Sequence, residues 1–145
     1  SRANHYPGSP SFLMNTHNHK LPKAVVISCI HFRFHQKLQK ALKKEKINSY
    51  DLLCLAGGAK NLASPSKKIY QQAVIDNIEL AQKLHKIKMV VLCNHIDCGA
   101  YGGSGQFENL NEETKFHQSE LEKAGKVIKK TFPDLEVKTI LLFLE

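Results

Sequence analysis

The 145-residue chain has no tryptophan, only two arginines, and no apolar run near the roughly 20 residues that a membrane-spanning helix needs. The missing apolar run argues against a membrane protein. The length fits one domain with a hydrophobic core of its own. A hydrophobic share of 42% and a charged share of 23% are ordinary for a soluble globular protein.

Lysine supplies nearly all of the positive charge. The net charge is +8, yet Arg2 and Arg33 are the only arginines among 21 basic residues. The lysines spread along helical faces, as Lys43, Lys44 and Lys46 do, which indicates solvated surface. No aromatic stacking platform accompanies them, so an RNA-binding fold is a minor alternative and nucleic acid an unlikely partner.

The four cysteines do not form the pattern of a disulfide framework. Cys29, Cys54 and Cys93 lie in or at the ends of apolar runs, and Cys98 lies in a glycine-rich turn. A chain of this size needs no cross-links, so we expect a reducing, cytoplasmic location. Cys54 and Cys93 are expected to be small buried hydrophobic residues.

The sequence divides into a tail and one domain. Residues 1–22 are rich in Ser, Asn, His, Pro and Gly without periodicity, and we interpret them as a poorly ordered tail. Met14 is a candidate natural start, which would make residues 1–13 non-native. The remaining residues, 23–145, are expected to form the folded domain.

Short apolar runs alternate with helical patterns along that domain. β-branched runs without polar interruption are typical of strands that are covered on both faces. The expected strands are 24–29, 50–55, 88–94 and 137–144, and the expected helices are 34–46, 66–86 and 111–132. This alternation predicts an α/β fold with three layers and a central, mostly parallel sheet of about four strands.

Two segments at strand ends carry the candidate chemistry. Cys29-Ile30-His31-Phe32-Arg33 closes the first strand, and His95-Ile96-Asp97-Cys98-Gly99 follows the third. Parallel sheets bind ligands beyond the carboxyl ends of their strands, where the strand order reverses. If the two strands are neighbours there, Cys29, His95 and Cys98 converge on one soft metal ion such as Zn²⁺.

The pattern resembles the β-class carbonic anhydrase family from about Val25 to Leu144. The family's Cys-x-Asp-x-Arg corresponds to residues 29–33, and its Gly-His-Thr-Asp-Cys-Gly-Ala to residues 94–100. The segment 77–81 is similar to the family's Ser-Leu-Glu-Tyr-Ala stretch. The segment 56–58 is similar to the end of its Arg-Asn-Ala-Gly-Gly loop.

The resemblance implies a function and an assembly. It implies a zinc ion held by Cys29, His95 and Cys98, and a homodimer or higher even oligomer. It further implies reversible hydration of CO₂ to bicarbonate by zinc-bound hydroxide. In the family, the Asp of the Cys-x-Asp-x-Arg pattern orients the hydroxide, and the Arg holds that Asp off the metal.

This chain departs from the family at that Asp, where His31 stands beside a retained Arg33. A neutral imidazole can accept the hydroxide's hydrogen bond, but it cannot pair with guanidinium as a carboxylate does. Alternatively, His31 turns onto the metal as a fourth ligand and closes the site; a third interpretation is a solvated or otherwise satisfied ring. Cys54 and Leu55 replace the family's Arg-Asn, and Ile96 replaces its Thr.

Several further residues are candidates for the same site. His31 and Arg33 are the candidate catalytic pair. Gly58 and Tyr101 are candidate substrate-pocket residues, with Gln106 and Phe107 in the following loop as further candidates. Asp97, between two expected ligands, is expected to act as an outer-shell partner.

Two functional hypotheses follow from these residues. The first is a zinc lyase of β-carbonic anhydrase type, weak or altered toward a related electrophile such as COS or CS₂. The second is a non-catalytic relative with a closed, four-ligand structural or regulatory zinc site. The family resemblance favours the first hypothesis, and the histidine at position 31 favours the second.

Overall fold

The computed structural model describes residues 21–144. Apart from its last two residues, the expected tail over 1–22 lies outside this range, as does the candidate start at Met14. The elements, in chain order, are β1 Ala24–Ser28, α1 His35–Lys44, β2 Tyr50–Cys54, α2 Lys60–Ala63, α3 Lys68–His85, β3 Met89–His95, α4 Leu110–Thr131 and β4 Glu136–Leu142.

The four strands form one parallel sheet in the order β2-β1-β3-β4. Val26 of β1 is in register with Leu52 of β2 and Val91 of β3. The α/β class, the parallel sheet and the number of strands predicted from the sequence are confirmed.

Helices cover both faces of the sheet, which gives the three predicted layers. Ala24 and Val26 of β1 pack with α1, in a cluster that includes Leu38. The alternate residues Val25 and Ile27 pack on the other face against the remaining helices. Because both faces are covered, β1 is buried along its whole length, as its continuous apolar sequence predicts.

The element boundaries differ from the expected ones at a few points. The short helix α2 was not predicted, because four residues after a Gly-Gly turn carry no helical periodicity. Helix α3 begins at Lys68 rather than 66, after an extended Lys67. Strand β4 begins at Glu136, one residue earlier than expected, and ends at Leu142.

The strand order reverses between β1 and β3. From β1 the chain crosses to β2 on one side and then returns to β3 on the other. The loops after β1 and β3 therefore start side by side at the carboxyl edge of the sheet. Among residues 21–144, the structure has no helix both long enough and apolar enough to cross a bilayer.

Candidate metal centre

Three of the predicted ligands meet at this edge. Cys29 follows β1, His95 is the last residue of β3, and Cys98 lies in the loop after it. Their ligand atoms all lie within 4.8 Å of one another, and all three residues are buried. The two sulfur atoms are 4.0 Å apart. The spatial convergence expected from the sequence is present.

The His95 ring is held with one nitrogen turned to this cluster. Its Nδ1–H donates to the Ile96 carbonyl over 2.7 Å, and the ring stacks on Phe34 with centroids 4.1 Å apart. Nε2 therefore carries the lone pair, and it is buried without a hydrogen-bond partner. An orphaned imidazole nitrogen beside two thiols is a donor set suited to zinc or another soft metal.

The pKa values of the two thiols are shifted in opposite directions. Hydrogen bonding from the Cys98 thiol, together with the Gly57 N–H at 3.3 Å, outweighs burial and lowers the pKa of Cys29 to about 3. The same bond, burial and the neighbouring negative charge raise the pKa of Cys98. Cys29 is thus poised as a thiolate, the protonation state in which cysteine binds metals.

A tight turn brings backbone close to the Cys29 sulfur. Gly57 and Gly58 have φ values of +90° and +54°, in the left-handed region that favours glycine. A Cβ on Gly58 would lie 2.4 Å from the Cys93 carbonyl oxygen and 3.2 Å from the Cys29 nitrogen. Gly58, a predicted pocket residue, lies against the backbone of β3 and of the residue that follows β1, beside the cluster.

His31 is bonded to Arg33 rather than included in the cluster. The Arg33 Nε donates to His31 Nε2 over 3.0 Å, so one hydrogen bond replaces the carboxylate pairing that the sequence excludes. Partial desolvation, with a contribution from the Arg33 charge, lowers the pKa of His31, which favours the neutral ring. With Nε2 accepting, the proton of the neutral ring is on Nδ1.

Asp97 faces the other side of the same guanidinium. Its Oδ2 lies 3.7 Å from Arg33 Nη2, and its Oδ1 accepts from the Ser104 N–H over 2.9 Å. The hydrogen bond from Ser104, with a contribution from Arg33, lowers the pKa of the Asp97 carboxyl. The expected outer-shell residue therefore contacts Arg33 and the following loop.

A buried polar network lies behind the candidate ligands. Asn94 Oδ1 accepts from the Ala59 N–H over 3.0 Å, and its Nδ2 donates to Tyr101 Oη and His117 Nδ1 over 3.1 and 3.3 Å. Tyr101 Oη in turn donates to Glu120 Oε1 over 3.0 Å. The hydroxyl of Tyr101, a predicted pocket residue, takes part in this network, and burial raises its pKa.

The polar residues that α4 contributes to the network were not identified from the sequence. Glu113, His117 and Glu120 are all buried. They are three or four residues apart, and the same spacing continues to the apolar Ala124 and Ile128, so all five residues lie on one face of the helix. This spacing could have indicated from the sequence that the three polar residues are buried.

The remaining candidates have other contacts. The Gln106 amide donates to the Tyr101 carbonyl, and Phe107 packs against Phe116 with ring centroids 5.2 Å apart. All four cysteines are free, as expected. Cys93 is buried and its pKa is raised to about 12 by burial, whereas Cys54 is only half-buried.

Comparison with known proteins places this geometry in a family. The family described as "Putative carbonic anhydrase" matches residues 19–145. The chain belongs to this carbonic anhydrase family.

Two curated relatives and one solved structure are also similar to this chain. An uncharacterised protein of Rickettsia conorii is 34% identical over 125 residues, covering 83% of this chain and 67% of its own. One from Rickettsia bellii is also 34% identical, with 83% and 76% covered. A tetrameric β-carbonic anhydrase of Sordaria macrospora has a similar fold, with a TM-score of 0.59, 19% identity, and 93% and 82% of the two chains covered.

Proposed function

We propose that this protein is a zinc-dependent lyase of β-carbonic anhydrase type that converts CO₂ reversibly to bicarbonate. The observation that carries the proposal is the buried cluster of Cys29, His95 and Cys98, whose ligand atoms lie within 4.8 Å of one another. Family membership supports the same chemistry. The substrate is a small molecule, CO₂ or a related electrophile.

The donor set suits a catalytic zinc ion. When bound there, zinc would supply the Lewis acidity that activates water for attack on a carbonyl carbon. Two thiolates, from Cys29 and Cys98, would balance its charge. His95 is already oriented for ligation, because its other nitrogen is occupied by the Ile96 carbonyl.

Three protein ligands rather than four favour catalysis over a purely structural role. His31 is the nearest additional candidate, and its Nε2 accepts from Arg33 over 3.0 Å. Arg33 therefore has a partner in the absence of the family's Asp. We assign His31 and Arg33 to the reactive side of the site as an orienting pair.

A second candidate function, a closed zinc site without catalysis, depends on His31. The His31 ring centroid lies 5.1 Å from that of His95, so a modest rotation would bring an imidazole toward the cluster. A closed site with Cys29, His31, His95 and Cys98 would be a structural or regulatory zinc centre. The histidine at the position of the family's Asp favours this alternative.

Stopped-flow CO₂ hydration on zinc-loaded protein separates the two functions. The lyase proposal expects measurable hydration by the wild type, abolished in Cys98→Ser. His31→Asp restores the family's residue, and His35→Asp adds the same charge at an exposed position of α1 as its control. A silent wild type beside an active His31→Asp would reject the lyase proposal and favour the closed site.

We further propose a homodimer or higher even oligomer. Leu52 of β2 and Leu80 and Leu84 of α3 are all more than half exposed, and they line one surface depression beside the edge strand β2. Such clustered apolar exposure is typical of an interface. Light scattering on the purified chain tests the assembly.

The free cysteines agree with a reducing compartment, and we propose a cytoplasmic location.

A further inference from the structure

Arg33 bridges the two loops that carry the candidate ligands. From the loop after β1, its Nε donates to His31 Nε2 over 3.0 Å. Its Nη2 lies 3.7 Å from Oδ2 of Asp97, which lies between His95 and Cys98 in the loop after β3. The three side chains thus form a chain of contacts that ends on His31, the proposed fourth ligand of the alternative closed site.

Asp97 is fixed independently of Arg33. Its backbone has a left-handed φ of +59°, and its N–H donates to the buried Glu113 Oε2 over 2.7 Å. Its Oδ1 accepts from the Ser104 N–H over 2.9 Å, and Ser104 Oγ also donates to Glu113. The carboxylate is therefore anchored to α4 before it meets the guanidinium, so little side-chain entropy remains to be lost in that contact.

We propose that Asp97 is a positioning residue that acts through Arg33 to hold His31 away from the cluster of Cys29, His95 and Cys98. Its effect is to leave that cluster with three protein ligands and an open position. The inference rests on the proposed metal site, and it assigns a specific cause to the open position.

The solvent exposure of the Arg33–Asp97 ion pair limits how strongly Asp97 can bias the position of His31. The Arg33 and Asp97 side chains are each 43% exposed, so their ion pair adds little to global stability. A contact of this size changes the population of the two positions of the His31 ring measurably when those positions are close in free energy, and the 5.1 Å between the His31 and His95 ring centroids already places the ring beside the cluster. Removing the bias shifts the population of two ring positions and leaves the fold intact.

Asp97→Asn isolates the charge. The asparagine carbonyl oxygen can still accept from Ser104, and asparagine tolerates positive φ better than most residues. The negative oxygen facing Arg33 is replaced by an NH₂ group, which cannot accept from the guanidinium, so the contact is lost. Arg33→Gln, at an exposed position, removes the other side of the contact and serves as a second variant. Asp134→Asn, an exposed acid remote from the cluster, is the matched control.

Cobalt(II) and thiocyanate are the probes. Each variant is loaded with Co²⁺, its visible absorption spectrum is recorded, and thiocyanate is titrated as an anion that needs an open coordination position. A half-exposed ion pair changes the ratio of the two ring positions by at most about fivefold, so the apparent thiocyanate affinity of Asp97→Asn is expected to fall about twofold to fivefold. Arg33→Gln is expected to do the same, and Asp134→Asn to match the wild type.

The double variant Asp97→Asn with His31→Ala tests whether Asp97 acts on the metal site through His31. We expect it to recover the thiocyanate affinity and cobalt spectrum of the wild type, since the competing ring is gone. Unchanged affinity in both Asp97→Asn and Arg33→Gln, or a loss that His31→Ala does not reverse, would overturn the inference while leaving the metal site intact. A wild type that binds no cobalt at the cluster would reject the proposed function itself.

Discussion

Asn94 donates from Nδ2 to Nδ1 of His117 over 3.3 Å, although both side chains are almost fully excluded from solvent. The same amide accepts from Ala59 and donates to Tyr101. The β-class carbonic anhydrase pattern has a glycine at this position, and glycine has no side chain to make these hydrogen bonds. The asparagine thus joins three segments around the candidate ligands, one residue before His95.

We expect Asn94→Ala to lower the free energy of unfolding by about 3 kcal/mol, because it leaves the buried Ala59 N–H and His117 Nδ1 without partners and removes the hydrogen bond that Tyr101 Oη accepts. Urea denaturation measures the change. Asn77→Ala is the control: that exposed side chain bonds only within α3, and its loss should cost no more than about 0.5 kcal/mol. Equal effects of the two substitutions would contradict the assigned network.

The turn beside Cys29 should tolerate glycine alone. Gly58→Ala places a Cβ 2.4 Å from the Cys93 carbonyl at a φ of +54°, so we expect a loss of at least about 2 kcal/mol of stability, or failure to fold. Gly105→Ala is the matched control, since a Cβ there meets no atom within 4 Å. Thermal denaturation compares them. A Gly58→Ala protein as stable as Gly105→Ala would contradict the turn geometry.

Acid should weaken the fold through His117. Burial lowers the pKa of His117 below its ordinary value of 6.5. As the pH falls through 6.5, His117 takes up a proton in the unfolded chain but stays neutral in the folded chain. The free energy of unfolding therefore decreases until the pH reaches the pKa of His117 in the folded chain. Protonation would also turn Nδ1 into a donor facing the Asn94 amide.

Urea denaturation between pH 7.5 and the acid limit of folding tests this titration. His117→Gln removes it, and its stability should depend less steeply on pH below about 6.5 than that of the wild type. His35→Gln, which changes an exposed histidine of α1, should keep the wild-type slope. Parallel profiles for wild type and His117→Gln would show that His117 does not carry the effect.

The fold and the ligand cluster were predictable because both depend on patterns local to the sequence. A run such as Ala24–Ser28, apolar at every position but the last, is typical of a strand that is covered on both faces, as in a sheet between two helix layers. Alternation with helices then makes the strands parallel. Ends of parallel strands share an edge, so Cys29 and His95 could be placed together without knowing any distance.

The surroundings of the cluster depend on features that a pattern does not encode. The contact of Asp97 with Arg33 requires a left-handed residue in an irregular loop, and its backbone angle is set by bonds to Ser104 and Glu113. The pairing of Arg33 with His31 depends on which ring nitrogen carries the proton. Both are set by tertiary neighbours that are distant in sequence.

Metal analysis of the purified protein, combined with X-ray absorption at the zinc edge, tests the central claim most directly. The account predicts one zinc ion per chain, bound by two sulfur atoms and one histidine nitrogen. Zinc should be lost in Cys29→Ser, His95→Ala and Cys98→Ser, and retained in Cys54→Ser, which changes a cysteine outside the cluster. A wild type without zinc, or a Cys98→Ser protein that binds zinc as the wild type does, would contradict it.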